Sequence, residues 1–330
     1  MRIPEPPPSI PEDYSYSDVL DDLIKIGKFW NLFEINNNEF PYWDKWKYIA
    51  KDWSYDSTKL WAAVQSNRTG NKLHLVENYS FRLNSPSVMQ EYLHDFDMNL
   101  GGSMQGDGII PSQEKDRYLL SSLMEEAIAS SQLEGAVTTR KLAKEMLETN
   151  RKPRNESEQM ILNNYEGMKW IVTHKDKPFN IDNILELHGI ITKNTLASKA
   201  DEGAFRTDNN INVVDVQTGE IVHHPPSYEQ LSQLMNAFCH FANDKHAVRF
   251  FIHPIAKGIT LHFLLGFIHP FSDGNGRTAR TLFYWYLIRK GYWLIEYMSV
   301  SRIILKAKAQ YARAYLHTEL DNNDLTYFIL

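Results

Sequence analysis

The sequence predicts a mostly α-helical protein with one small β-hairpin and a helical, aromatic-rich N-terminal region. Three observations carry this. From about residue 113 onward, apolar residues recur at spacings of three and four, the period of a helix with one buried face. The stretch "INVVDVQTGEIVHHPP" (211–226) sets β-branched residues on both sides of a Thr-Gly turn. Residues 13–100 hold five of the eight tryptophans, and Trp43, Trp46, Ala50 and Trp53 fall on one helical face.

Taken in order, residues 1–12 contain five of the fourteen prolines and form an extended arm. Residues 13–112 form a small helical region with an aromatic core, which could also serve as a docking surface. It closes on "LGGSMQGDGIIPS" (100–112), whose four glycines and proline mark a linker. A helix is expected over 113–134. Leu120, Leu123, Ala127, Ser130 and Glu134 advance by 3, 4, 3 and 4 along one face, and Gly135 stops it. A second helix runs over 138–147 from a Thr138 or Thr139 cap. Further helices are expected at 156–174 and 181–194, and after the hairpin at 228–243, 253–268, 277–290 and 300–317. The chain thus divides into the arm (1–12), the N-terminal region with its linker (13–112), connecting helices (113–175) and a core (176–330). It ends on "DLTYFIL", an apolar segment with the look of an unfinished amphipathic helix.

Composition narrows the function classes. The 330 residues carry a net charge of −6, which disfavours a role in coating nucleic acid. Cys239 is the only cysteine, so no intrachain disulfide forms, and a reducing compartment fits. The N-terminus "MRIPEPPPSIPEDY" is not a signal peptide, and no apolar run approaches the ~20 residues of a membrane span. The expectation is a cytoplasmic protein that binds neither membrane nor nucleic acid.

The densest chemistry lies in "FIHPFSDGNGRTAR" (267–280). Pro270 and the Gly-Asn-Gly triplet interrupt regular helix before Arg277, after which "RTARTLFYWYLI" is amphipathic. A glycine-rich loop feeding a helix N-terminus offers unpaired N–H groups and a partial positive charge to an anion. Arg277 and Arg280, three apart, can grip further phosphate oxygens. Asp273 would repel phosphate unless it holds a Mg²⁺ that bridges to it. His269 can act as a base near neutral pH. Together these groups suggest transfer from a nucleotide. A dinucleotide fingerprint is excluded because "HPFSD", not an apolar strand, precedes the glycines. A Walker-type loop is excluded because Gly-Lys-Ser/Thr is missing. A zinc site on His253, His262 and His269 has spacings of nine and seven that match no standard cluster.

The stretch resembles the signature of Fic-domain proteins, His-Pro-Phe-x-Asp/Glu-Gly-Asn-Gly-Arg-x-x-Arg, and matches it at every defined position. The resemblance spans about 115–325. It implies a Fic-type helical bundle and transfer of AMP from ATP to a Ser, Thr or Tyr hydroxyl of a target protein, with release of pyrophosphate. His269 would be the base, and Phe271 would anchor the loop. Asp273 would bind Mg²⁺. Gly274, Asn275 and Gly276 would form the anion hole, and Arg277 and Arg280 would hold the β- and γ-phosphates. Gly276 argues against a kinase-like subgroup that has lysine there. The hairpin at 211–224 is similar to the family's flap, along which an extended target segment can pair. Val222 and His223 are expected to line the nucleotide pocket, and Tyr311 corresponds loosely to an aromatic near the adenine.

Glu134 continues the inward face of its helix, where a lone carboxylate is costly unless paired. The spacing Ser130-x-x-x-Glu134-Gly135 resembles the family's inhibitory motif, Ser/Thr-x-x-x-Glu-Gly/Asn, in the class with an internal N-terminal inhibitory helix. The implied partner of Glu134 is Arg280, where the carboxylate would take the place of the γ-phosphate. Such relatives often use homodimers in regulation. The competing readings are removal of AMP from modified proteins, transfer of another nucleotide or phosphate-containing group, and a non-catalytic interaction module.

Overall fold

Helices dominate the computed structural model, which describes residues 3–100, 115–215, 218–245 and 250–330. The linker expected at 100–112 lies, apart from Leu100, outside the described residues. The chain divides into two units, one of Met1–Asp95 with Gln310–Leu330 and one of Phe96–Ala309.

In the first unit, α1 (Tyr16–Lys25), α2 (Phe29–Asn38), α3 (Trp43–Asp52) and α4 (Ser57–Asn67) pack around the predicted aromatic stripe. Trp43, Trp46 and Ala50 are buried with Leu60, Trp61 and Val64. Asp56 caps α4 by accepting the Lys59 N–H at 2.8 Å. An antiparallel hairpin follows, β1 (Asn71–Val76) and β2 (Tyr79–Leu83), with Leu73 opposite Phe81. Only one hairpin was expected from the sequence. Here Leu73, Leu75, Phe81 and Leu83 are buried, a period of two that defines a half-buried strand pair. Then comes α5 (Ser87–Leu100).

The end of the chain returns to this unit, so the core expected to run to residue 330 stops short of it. Residues 300–317 are not one helix but α13 (Val300–Lys306) and α14 (Lys308–Leu320), followed by α15 (Thr326–Ile329). Arg68 is fully buried. It donates to Asn36 Oδ1 and the Pro41 carbonyl, each at 2.8 Å, and to the Tyr327 hydroxyl. Asp321 accepts from Gln65 and Arg82 at 3.0 Å. Asp324, Leu325, Thr326 and Tyr327 are buried here, so "DLTY" of "DLTYFIL" is core while Leu330 is exposed.

In the second unit, α6 (Lys115–Leu133), α7 (Arg140–Glu148), α8 (Glu156–Thr173) and α9 (Ile181–Thr192) precede a short hairpin, β3 (Val213–Val214) and β4 (Ile221–His223). Its residues 216–217 are outside the described set. Then come α10 (Leu231–Ala242), α11 (Pro254–Ile268) and α12 (Asn275–Arg289). Thirteen of the fourteen residues from Asn275 to Ile288, all but Gly276, are buried. A helix covered on every side belongs at the centre of its unit, and α12 packs on α11, α8, α9 and α6.

Candidate active site

The site is built on the turn between α11 and α12. α11 cannot continue past His269, because Pro270 lacks an N–H and its ring clashes with helical backbone before it. His269 closes the helix in the left-handed region, at φ 49° and ψ 57°, with its N–H on the Leu265 carbonyl at 2.9 Å. A non-glycine residue held there costs about 1–2 kcal/mol. The conformation is bound on both sides. His269 Nδ1–H donates to the Gly266 carbonyl at 3.1 Å, and the His269 carbonyl accepts from Arg206 Nε at 2.9 Å. The Nδ1 bond fixes the tautomer and leaves the Nε2 lone pair for a proton. Burial, first of the causes, lowers the His269 pKa below its ordinary 6.5. The positive charge of Arg206 and the neighbouring His223 act in the same direction, while the Gly266 bond and Glu134 oppose it.

The loop 271–275 is closed by its own side chain. Asn275 Oδ1 accepts the Phe271 N–H at 3.0 Å, and Asn275 Nδ2 donates to the Phe271 carbonyl at 2.9 Å. Phe271 is fully buried and stacks on His188, with centroids 3.7 Å apart. His188 accepts the Gly203 N–H on Nδ1 at 3.0 Å and donates Nε2–H to the Asp273 carbonyl at 2.9 Å. Burial holds it neutral, its pKa lowered to about 4. Gly274 is left-handed at φ 79°, and a Cβ there would lie 2.6 Å from Thr192 Cγ2, so both backbone and space demand glycine.

α12 begins at Asn275, two residues earlier than the glycines suggested, with Gly274 as its N-cap. The N–H groups of Asn275, Gly276 and Arg277 therefore lie in the first turn, where no intrahelical acceptor exists. The expected anion cradle coincides with a helix N-terminus, and the Asn275 side chain serves the loop behind it. Arg277 is buried, donates Nη1–H to the Ile191 carbonyl at 3.0 Å and leaves its Nε without a partner. Its Nη2 is 4.0 Å from Asp273 Oδ2, on a side chain that is 66% exposed.

Arg280, one turn on, reaches α6. Its Nε donates to Ser130 Oγ at 2.8 Å, and its Nη2 donates to the Ser130 carbonyl at 3.0 Å and to Glu134 Oε1 at 2.7 Å. α6 stops at Leu133, so Glu134 is the residue just past it. Ala136 N–H bonds the Ser131 carbonyl at 3.0 Å, and Gly135 N–H bonds the Gln132 carbonyl at 3.3 Å. That is a Schellman cap with Gly135 left-handed at φ 97°. Nothing lies within 4 Å of a Cβ at Gly135, so its requirement is conformational. Glu134 is less inward than its helical phase implied. Its side chain is 34% exposed against 5% for Arg280, because the cap turns the chain away at that residue. Its carboxylate still lies over the start of α12, for a Cβ on Gly276 would fall 2.2 Å from Glu134 Oε1.

The remaining expected residues fall as follows. His223 is buried, with Nε2–H donating to the Phe267 carbonyl at 2.7 Å, so it roots the hairpin on α11. Val222 is half-buried beside it, and Val214 and Ile221 are exposed. Tyr311 belongs to the first unit, edge-to-face with Tyr315 at 5.4 Å and 5.8 Å from Phe328. Among the described residues no three His, Cys, Asp or Glu side chains converge as a metal site. The exposed Asp273 carboxylate suits Mg²⁺ shared with phosphate oxygens, since Mg²⁺ needs only one or two carboxylates beside substrate and water.

Three residues escaped the sequence reading. His188 sits on the buried stripe of α9 with Ile184, Leu187 and Ile191, where a polar residue is a signal. Glu126 sits on the buried stripe of α6. Arg206 lies in an aperiodic loop with no such signal.

The site thus sets a helix N-terminus with free first-turn N–H groups beside a histidine whose pKa is lowered by burial. A profile of the Fic/DOC family matches residues 178–287, a third of the chain. Relatives carry the name protein adenylyltransferase Fic. One from Nematostella vectensis is 29% identical over 182 residues, covering 53% of this chain and 40% of that protein. One from Aedes aegypti is 36% identical over 129 residues, covering 38% of this chain and 23% of that protein. The chain therefore spans well under two thirds of these relatives. Fic-1 (residues 134–508) from C. elegans shares the fold at 20% identity and a TM-score of 0.56, over 73% of this chain and 66% of that one. A Fic family protein from Desulfovibrio desulfuricans G20 does so at 18% identity and a TM-score of 0.58, over 73% and 68%.

Proposed function

We propose that the chain is a self-inhibited protein adenylyltransferase, acting from ATP on a hydroxyl side chain of a target protein. The observation that carries this is His269, with Nδ1–H held by Gly266 and the Nε2 lone pair left at the approach to the α12 N-terminus. The target oxygen attacks the α-phosphorus of ATP as its proton passes to His269 Nε2. The bond from the α-phosphorus to the bridging oxygen breaks, and pyrophosphate leaves. The first-turn N–H groups of α12 and the guanidinium of Arg280 carry phosphate charge. Asp273 would hold Mg²⁺, which supplies charge neutralisation on the phosphates when bound. An extended target segment pairs along the hairpin of β3 and β4, whose Val214 and Ile221 are exposed. Among the described residues no helix is long and apolar enough to cross a membrane, and with the single buried Cys239 this supports a cytoplasmic setting.

Glu134 restrains the site through Arg280 and the space over Gly276. A hydrogen bond to a charged group contributes ~1.5–3 kcal/mol. Losing it shifts the productive ATP pose by roughly tenfold to a hundredfold. The test is incubation with α-labelled nucleoside triphosphates, wild type against Glu134→Gly. Label on protein from ATP alone, raised at least tenfold in the variant and abolished by excess chelator, is the expected result. Arg280→Ala should not mimic the gain, because Arg280 also grips phosphate. Label from another nucleotide would redefine the donor. No label in Glu134→Gly, with AMP released from a pre-modified target by wild type, would replace the reading with AMP removal.

A further inference from the structure

We propose that Arg206 is the positioning residue for His269, bracing the catalytic turn and the root of the hairpin against each other. The inference rests on the adenylyltransferase reading. Arg206 is buried, yet the bonds it makes are to backbone carbonyls and one amide. Its Nε donates to the His269 carbonyl at 2.9 Å, and its own N–H donates to the Pro270 carbonyl at 2.9 Å. Two donors therefore grip the two residues where α11 gives way to the loop. On the other side Nη1 donates to the Asp208 carbonyl at 2.8 Å and to Asn209 Oδ1 at 3.3 Å, while Nη2 donates to the Pro226 carbonyl. Asn209 Oδ1 also accepts the Tyr228 N–H at 2.8 Å. Pro226 and Tyr228 lie just beyond β4, so one side chain joins the segment before the hairpin, the segment after it and the catalytic turn.

The geometry has a chemical consequence. His269 is left-handed, and the ring direction follows from that backbone. Without the Arg206 bond, nothing else described holds the His269 carbonyl, and the residue can relax toward the extended conformations favoured before proline. The ring would swing and the base would lose its aim, a displacement of a kind that costs about a hundredfold in rate. Arg206 also sets the charge around the imidazole. Burial lowers the His269 pKa most and the Gly266 bond raises it; of the charged groups around it, His223 and Arg206 lower it and Glu134 raises it. An uncharged residue at 206 should thus move the acid limb of the rate to higher pH. A lysine keeps the charge and loses the planar fork that serves several carbonyls at once.

The experiment uses the full chain in the Glu134→Gly background with Mg-ATP. Arg206→Gln should lower the saturated labelling rate about a hundredfold, change the ATP Kd less than about threefold and raise the pH of the acid limb. Arg206→Lys should lose rate with the acid limb unmoved, and it decides alone if the glutamine variant does not fold. A folded variant that labels within about threefold of its parent overturns the proposal. Amide exchange gives a readout independent of activity. In Arg206→Lys, exchange should rise together in 267–271 and 221–228, and protection unchanged in both overturns the proposal. If Glu134→Gly itself never labels, the adenylyltransferase reading fails, and amide exchange still decides the brace.

Discussion

His269 is useful only as the neutral imidazole, and its surroundings keep it so. Burial makes the charged form costly, and the Gly266 bond assigns the proton to Nδ1. Because the folded pKa lies below 6.5, the base is already free at neutral pH, and protonation on acidification removes it. The labelling rate of Glu134→Gly should reach its half-maximum at a pH below 6.5 and fall on further acidification, approaching tenfold per pH unit. Losing Glu134, whose charge raises the His269 pKa, pushes that fall lower still. His269→Ala should reduce labelling by ~10²–10⁴ with ATP binding kept, since a general base contributes that much. An acid limb above pH 7, or transfer by the alanine variant at its parent's rate, would remove His269 from this role.

At the scale of elements, α6 positions Glu134 and is itself clamped. Glu126 lies two turns before Glu134 and is buried. Its carboxylate accepts from the Tyr284 hydroxyl at 2.8 Å, from Ser299 Oγ and Ser301 N–H at 3.0 Å, and from Ser301 Oγ. Every partner is a donor, so Glu126→Gln would aim an amide N–H₂ at donors and cost ~1–3 kcal/mol. The expected outcome is a lower Tm with basal labelling raised several-fold, short of Glu134→Gly. A lower Tm with unchanged labelling would mean that α6 does not carry the restraint. Much of this element was legible. The 3-4-3-4 spacing placed Leu123, Ala127 and Ser130 inside, although Leu120 on the same face is exposed, and the resemblance of Ser130–Glu134–Gly135 to an inhibitory motif implied Arg280 as the partner. The spacing could not show that Ser130 itself bonds Arg280 twice, or that the cap leaves Glu134 a third exposed, because both depend on how α6 lies on α12.

Across the whole molecule, legibility falls with sequence separation. The loop 269–280 was readable because its parts are neighbours in the chain. The β1–β2 hairpin was also there to find, in the alternation of "KLHLVENYSFRL", but the tryptophan-rich helices around it dominated. The return of 310–330 to residues 1–95 left no periodic signature, since Arg68 meets Tyr327 across most of the chain. Both units bury neutral histidine, which gives the molecule a common response to acid. The pKa of His188 and that of His317 are lowered to about 4, and that of His262 to about 3, each chiefly by burial. His317 stacks on Tyr42 at 3.9 Å with its Nε2 unpartnered. Between pH 6.5 and these values the unfolded chain binds more protons than the folded one. Stability therefore falls as pH drops through that window, by up to about 1.4 kcal/mol per pH unit for each histidine. Glu296 and Asp324, raised by burial, oppose the trend, whereas His269, lowered by burial, and the lowered carboxyls of Glu158 and Asp244 reinforce it. The Tm should thus decline from pH 6.5 to 5, ahead of ordinary carboxylate titration. His317→Phe keeps an aromatic ring on Tyr42 and removes one titrating group, so its decline should be shallower by about one proton. Equal slopes for wild type and His317→Phe would show that this histidine is not the buried neutral group its surroundings imply.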